Sequence, residues 1–165
     1  MFEYLMPLLI MKNYKNTLLG ETYSFVINSQ KKYGKQRNMP WGTSESGFHS
    51  PDINNDCQYK AIGVPWPGLK RGLIEDAVAS PYSTFLVLHV DPVGAVQNIN
   101  RLEKEDLDGP YGFYEAADYT PARLLFERKR VIVKSYMAHH QGMSLLSLNN
   151  FLNENIMQER FHIRS

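Results

Sequence analysis

The 165-residue sequence predicts an all-α chain that forms part of an α/α-barrel, a helical toroid with long functional loops at one end. Apolar residues recur at near-helical spacing over 17–36, 91–107 and 135–152. The connections alternate: short at 11–16, long at 37–69, short at Asp91 and long at 108–134. Consecutive antiparallel helices joined in that way put both long loops at the same end. A complete toroid contains about a dozen helices by fold analogy. Roughly five are visible here, so the chain reads as the C-terminal part of such a domain.

Residues 2–10 read as a buried helix kinked at Pro7, and Asn13 to Asn16 as a polar turn. From Thr17 to about Gln36, Leu18, Leu19, Tyr23, Val26, Ile27 and Tyr33 form one apolar face, and the basic last turn complements the helix dipole. Residues 37–69 are rich in Pro and Gly and read as a long loop, which in a compact domain is usually functional or disordered. Trp41, Phe48, Tyr59 and Trp66 argue for order, because they need burial. A helix is expected from Leu69 to Val90, interrupted at Pro81, with Ser80-Pro81 as an N-cap and a first-turn proline. Asp91-Pro92 repeats that signal for a helix to about Leu107, with Val93, Val96, Ile99 and Leu102 on one face. After a second loop, 108–121, Leu124-Leu125-Phe126 and Val131-Ile132-Val133 are expected to pair as a hairpin. A last helix spans about 135–152, with Tyr136, His140, Met143, Leu146, Leu148 and Phe151 inward, and 156–165 read as a ragged end.

Composition narrows the function. The 18 basic and 17 acidic residues leave a net charge of +1, and Arg128-Lys129-Arg130 is the one basic run, so a nucleic-acid partner is not expected. The single cysteine, Cys57, precludes an intrachain disulfide or a Cys-based zinc cluster. The apolar opening, Met1 to Met11, is too short to span a bilayer, carries Glu3 where a signal peptide needs positive charge and has no cleavage site. The expectation is a cytoplasmic chain without membrane contact of its own.

Two loops carry the chemistry. Pro40-Trp41-Gly42-Thr43-Ser44-Glu45-Ser46-Gly47-Phe48 sets one carboxylate among hydroxyls, glycines and aromatics. Gly109-Pro110-Tyr111-Gly112-Phe113-Tyr114-Glu115-Ala116-Ala117-Asp118-Tyr119-Thr120-Pro121 does the same with four aromatic residues. Aromatic faces stack on the apolar faces of sugar rings, and glycoside hydrolysis typically uses two carboxyl groups flanking the glycosidic oxygen. Glu45 and Glu115 are therefore the candidate catalytic pair. Which is the acid stays open, although Phe113 and Tyr114 beside Glu115 favour it as proton donor. Asp118 either hydrogen-bonds sugar or caps its loop. Trp41, Tyr111, Tyr114 and Tyr136 are candidate sugar platforms, and Lys70 and Arg71 either bind sugar or face water. His139, His140 and Gln141 are assigned to sugar hydrogen bonding or packing. Adjacent helical histidines point about 100° apart and do not readily share an ion, so neither metal nor cofactor is expected.

These motifs, together with Met1-Phe2-Glu3-Tyr4-Leu5-Met6-Pro7, Gly63-Val64-Pro65, Gly68-Leu69-Lys70-Arg71-Gly72-Leu73 and Ser135-Tyr136-Met137-Ala138-His139-His140-Gln141-Gly142-Met143-Ser144, resemble the glucoamylase-like domain of cyclic β-1,2-glucan synthases. The resemblance runs in order over nearly the whole chain; Trp66-Pro67 departs from the family's smaller turn. It implies an (α/α)6 barrel related to β-1,2-glucan endoglucanases, a β-glucan substrate, a retaining transglycosylation or hydrolysis, and a place in a larger membrane-anchored synthase. The missing N-terminal half of the barrel is then the chain's structural partner. The alternatives are an inactive or carbohydrate-binding fragment, and a helical interaction module.

Overall fold

A computed structural model describes residues 1–50, 58–68, 73–124 and 128–162. The helices are α1 (Phe2–Leu5), α2 (Leu18–Gln36), α3 (Pro81–Phe85), α4 (Pro92–Lys104), α5 (Ala138–Leu152) and α6 (Ile156–His162). Seven short strands correct the all-α expectation: β1 (Ser46–Phe48), β2 (Gln58–Lys60), β3 (Val78–Ala79), β4 (Asp108–Gly109), β5 (Gly112–Phe113), β6 (Ala116–Asp118) and β7 (Val131–Val133). Their physical origin is backbone satisfaction. Where loops too rich in Pro and Gly for helix are buried, as at β3 and β6, short antiparallel ladders pair their N–H and C=O groups.

The main core joins Leu5, Leu8 and Leu9, then Tyr23, Val26 and Ile27 of α2, Tyr82 and Leu86 of the α3 region, Ala95 of α4 and Met143 of α5. Thr17 caps α2 by accepting from Gly20 N at 3.1 Å. The inward stripe of α2 is Tyr23, Val26, Ile27, Gln30 and Tyr33, whereas Leu18 is 88% exposed and Leu19 also faces outward. At Pro7 the α-helix gives way to a 3-10 turn, Met6–Leu9. Asp91 caps α4 by accepting from Gly94 N at 3.0 Å, with Pro92 in the first turn, as the motif predicts. The buried face of α4 is Gly94, Ala95, Asn98 and Leu102; Val93 and Val96, expected inward, are exposed.

Polar side chains displace some of the expected apolar ones because they bracket backbone. Asn98 Nδ2 donates to Trp41 O at 2.8 Å and its Oδ1 accepts from Trp41 N at 3.1 Å. Gln30 Nε2 donates to Thr43 O and its Oε1 accepts from Thr43 N, both at 2.8 Å. Two carboxamides on two helices thus hold the loop before Glu45 as a neighbouring strand would. Asn98→Ala strands two loop groups, and a loss of about 1–3 kcal/mol is expected. Chemical denaturation measures it; a loss below the error of the fit would show that the bracket is dispensable. On α5 the buried face is His140, Met143, Ser147 and Asn150, with Phe151 turned outward. Ser147 Oγ donates to Phe85 O at 2.6 Å and Asn150 Nδ2 to Leu9 O at 2.8 Å.

Three further expectations change. Before Pro81 the chain forms β3 rather than helix, and Ser80 Oγ donates to Glu115 O at 2.8 Å instead of capping α3. Val131–Val133 is a strand, but β7 pairs with β6, Ala116 opposite Val133. Residues 125–127, including Leu125 and Phe126 of the expected hairpin, lie outside the described residues, as do Cys57, Lys70 and Arg71. Residues 156–162, expected to be ragged, form α6, whose Gln158 Nε2 donates to Leu8 O at 2.5 Å. Among the described residues, no helix is long and apolar enough to cross a membrane.

The two long loops do come together. β3, which lies beyond the first, pairs antiparallel with β6 of the second, Val78 opposite Asp118, giving the sheet order β3-β6-β7. β1 pairs with β2, Ser46 opposite Lys60, and β1 also packs against β6. Phe48, Ile62, Val78, Ala116 and Val133 fill the small core between them.

Candidate active site

Glu45 and Glu115 occupy equivalent places, each the residue immediately before a strand, β1 and β6 respectively. Glu115 is 2% exposed. Its Oε1 accepts from Gly47 N at 3.0 Å, which ties the second loop's acid to the first loop's backbone. His140 Nδ1 lies 2.9 Å from Oε1 and 3.0 Å from Oε2. The Tyr82 ring stacks on the His140 ring, with centroids 3.7 Å apart and planes 11° apart. A side chain on Gly47 would put its Cβ 3.2 Å from Glu115 Cγ and 3.3 Å from Val133 Cγ1, so glycine allows this close approach. The partners of the Glu115 carboxylate are an amide and an imidazole, not the aromatic cage its sequence neighbours suggested.

Glu45 is half-buried. It borders a cavity of about 370 Å³ shared with Phe2, Gln30, Ser44 and Val64. Glu115 borders a second cavity of about 140 Å³, walled by Phe85, Phe113, Tyr114, Gln141 and Leu148. Tyr82 links the two sides: its ring lines the smaller cavity, and its hydroxyl donates to Ser44 Oγ at 2.8 Å and approaches Glu45 O at 3.1 Å. Burial pushes the Tyr82 phenol far up, and the Glu45, Tyr59 and Glu115 charges add to the rise. Tyr59 is likewise raised by burial, then by the charge of Glu45, a hydrogen bond to Glu45 and the charge of Glu115. Both phenols stay protonated at neutral pH, and Tyr59 sits within the influence of both carboxyl groups.

The other sequence candidates divide. Asp118 is fully buried, with both oxygens engaged: Oδ2 by Arg123 Nε at 2.6 Å and His49 N at 3.0 Å, Oδ1 by Thr120 N at 2.9 Å. It is a loop clamp rather than a sugar ligand, because no lone pair is left facing solvent. Trp41 borders neither cavity; it packs on the main core with Lys31 Nζ 6.0 Å from its ring centre. Tyr111 is 81% exposed at the β4–β5 turn and meets Tyr136 edge-on at 5.7 Å, while Tyr136 and Tyr114 lie 5.2 Å apart. These three rings form one cluster beside the smaller cavity. Gln141 Nε2 donates to Phe113 O at 2.9 Å, fixing β5 to α5.

His139 and His140 correct the argument from helical divergence. Their ring centroids are 4.1 Å apart, and a ring nitrogen of each lies within 4.8 Å of the other and of a Glu45 carboxylate oxygen. The 100° divergence applies to the Cα–Cβ bonds. In the first turn of α5 the side-chain torsions bring the rings back together, with no preceding turn to obstruct them. Sequence reasoning missed Tyr59, Tyr82, Ser44 and the bridging role of Gly47. Tyr82 follows the Ser80-Pro81 start signal, but no spacing ties it to a histidine 58 positions on.

A chain with this fold and these paired loop acids belongs to the glucoamylase-like family, whose Glycoamylase model matches residues 1–165. It is 40% identical over 162 residues to the cyclic β-(1,2)-glucan synthase NdvB of Rhizobium meliloti, covering 98% of this chain and 6% of that protein. The fold is similar to the endo-β-1,2-glucanase of Chitinophaga pinensis, solved with sophorotriose and glucose. There the TM-score is 0.56 at 19% identity, covering 87% of this chain and 31% of the glucanase. The chain therefore spans a small part of each relative.

Proposed function

We propose that residues 1–165 are part of an (α/α)6 barrel that cleaves or transfers β-1,2-linked glucan through Glu45 and Glu115, within a larger synthase on its cytoplasmic side. The observation that carries the reading is the union of two distant acid loops through Gly47 N on Glu115, with Tyr59 under the charge of both carboxyl groups. Glu115, fixed by Gly47 and His140, is the carboxylate that attacks the anomeric carbon. Glu45, half-buried on the larger cavity, donates its proton to the glycosidic oxygen as the C1–O bond breaks. This reverses the preference read from Phe113 and Tyr114. The ionised Glu45 then takes the proton of an incoming hydroxyl as that oxygen displaces Glu115, so the proton and the anomeric configuration both return to their starting state.

Full-length protein incubated with linear β-1,2-glucan should yield shortened or cyclic glucan by mass spectrometry, with the β-anomer formed first by proton NMR. No product sinks the activity; an initial α-anomer overturns retention. A second reading, a carbohydrate-binding piece without activity of its own, is favoured by the 31% coverage of the glucanase. Residues 1–165 assayed alone separate the two.

A further inference from the structure

We propose that Glu45, His139 and His140 form a binding site for a divalent transition metal, Zn²⁺ being the first choice, with Glu115 orienting the His140 ring. The argument begins with the tautomer. Glu115 Oε1 already accepts from Gly47 N, and both carboxylate oxygens face His140 Nδ1 at 2.9 and 3.0 Å. A carboxylate accepts, so Nδ1 carries the proton, and in a neutral imidazole Nε2 is then a bare lone pair. Nε2 is buried and has no hydrogen-bond partner among the described residues, on a residue only 1% exposed. Such an orphan needs an explanation, and a bound ion is one of the few available.

The surroundings supply the remaining ligands. A His139 ring nitrogen, a Glu45 carboxylate oxygen and a His140 ring nitrogen lie mutually within 4.8 Å. With Nδ1 committed to Glu115, the free His140 donor is Nε2. Ligands around tetrahedral zinc stand roughly 3.3 Å apart for bonds of about 2.0–2.1 Å, so the three residues, counted to one of the His140 ring nitrogens, start within about 1.5 Å of that spacing. His139 is exposed and can supply that movement by rotation, while His140 is held by Tyr82 stacking and Glu115. Two imidazoles and one carboxylate suit zinc, and the carboxylate-to-histidine contact is the arrangement that commonly fixes a metal-bound imidazole. Three protein ligands leave a fourth position for water.

The metal and the sugar chemistry exclude one another. Glu45 cannot hold a cation and protonate a glycosidic oxygen at once, so zinc occupancy would inhibit glucan cleavage. That consequence rests on the proposed glucan activity; the metal site itself does not, and its test uses no glucan. Residues 1–165 carrying Cys57→Ser, to remove the one thiol, are titrated calorimetrically with ZnCl₂. One saturable Zn²⁺ per chain is expected. Loss of an orienting partner typically weakens a metal site about 10–100-fold, and loss of a ligand at least as much. His139→Ala and Glu45→Gln should therefore each weaken binding by at least about tenfold, while His162→Ala leaves it unchanged. Because His139 is exposed, its variant should keep the parent's circular dichroism. No saturable binding, or parent-like affinity in His139→Ala, overturns the site.

Discussion

Glu45→Gln is expected to lower turnover of β-1,2-glucan by about 10²–10⁴-fold, the usual worth of a positioned proton donor, and Glu115→Gln, which removes the attacking carboxylate, by at least as much. The substitution preserves shape and removes the ionisable group. The two variants should differ in what else they disturb. Glu45 is half-buried on the larger cavity, so its variant should melt like the parent. Glu115 accepts from Gly47 N and faces His140 Nδ1, and a carboxamide offers only one oxygen to the two. Either that oxygen accepts from both, with the new NH₂ group set against the His140 N–H, or His140 switches tautomer to accept from the NH₂ group. A modest drop in melting temperature is expected for Glu115→Gln alone, with the parent's far-ultraviolet circular dichroism retained. Parent-like turnover at saturating substrate in either variant would remove that residue from the mechanism.

Arg123→Ala is expected to be the most destabilising single change among the described loops. Arg123 bonds Asp118 through Nε at 2.6 Å and Nη2 at 3.1 Å, and Asp76 through Nη1 at 2.8 Å. Lys60 Nζ reaches the same Asp76 oxygen at 2.9 Å. The cluster ties β2 and β6 to the segment that leads into β3. Removing one partner leaves a buried Asp118 charge uncompensated, which costs about 3–5 kcal/mol. For a chain of this size that corresponds to roughly 10 °C in melting temperature. A shift below about 2 °C would mean that water relaxes the cluster at little cost.

The same cluster sets an acid-side dependence. Burial alone would raise the Asp76 carboxyl, but the hydrogen bonds and charges of Lys60 and Arg123 outweigh it and hold Asp76 below its ordinary value. A depressed carboxyl contributes stability that is present above its unfolded pKa and lost as pH falls through its folded one. The parent should therefore lose this contribution only below about pH 4. In Arg123→Ala, where Asp76 keeps only Lys60, its folded value rises toward the ordinary one, so less stability should be lost as pH falls below about 4. Equal losses of stability over that range in the two proteins would remove the linkage.

Local chemistry was legible in particular residues. Asp91 caps its helix through its own side chain, and Pro7, Pro81 and Pro92 mark helix breaks or starts where they stand. These signals act within four residues of chain, so no tertiary contact was needed to read them. The breaker density of 37–69 and 108–121 likewise excluded helix in those loops.

The inward faces of α4 and α5 were misread because periodicity assumes that apolar residues fill them. Asn98, Ser147 and Asn150 are buried there because each satisfies a backbone group of another segment. That demand arises only once the segments meet. The strands other than β7 escaped notice for the same reason: Val78 and Asp118 stand opposite each other although 40 residues separate them.

By itself the sequence determined the starts of α2, α3 and α4, the two acid-bearing loops and the family to which they belong, since all of these reside in short contiguous patterns. Tertiary structure alone decided that Asp118 is a clamp, that Tyr82 supports His140, that Gly47 donates to Glu115, and that His139, His140 and Glu45 converge. Each depends on distances between residues far apart in the chain, or on side-chain torsions, and hydrogen bonds and ion contacts vary steeply over ångströms that residue spacing does not encode.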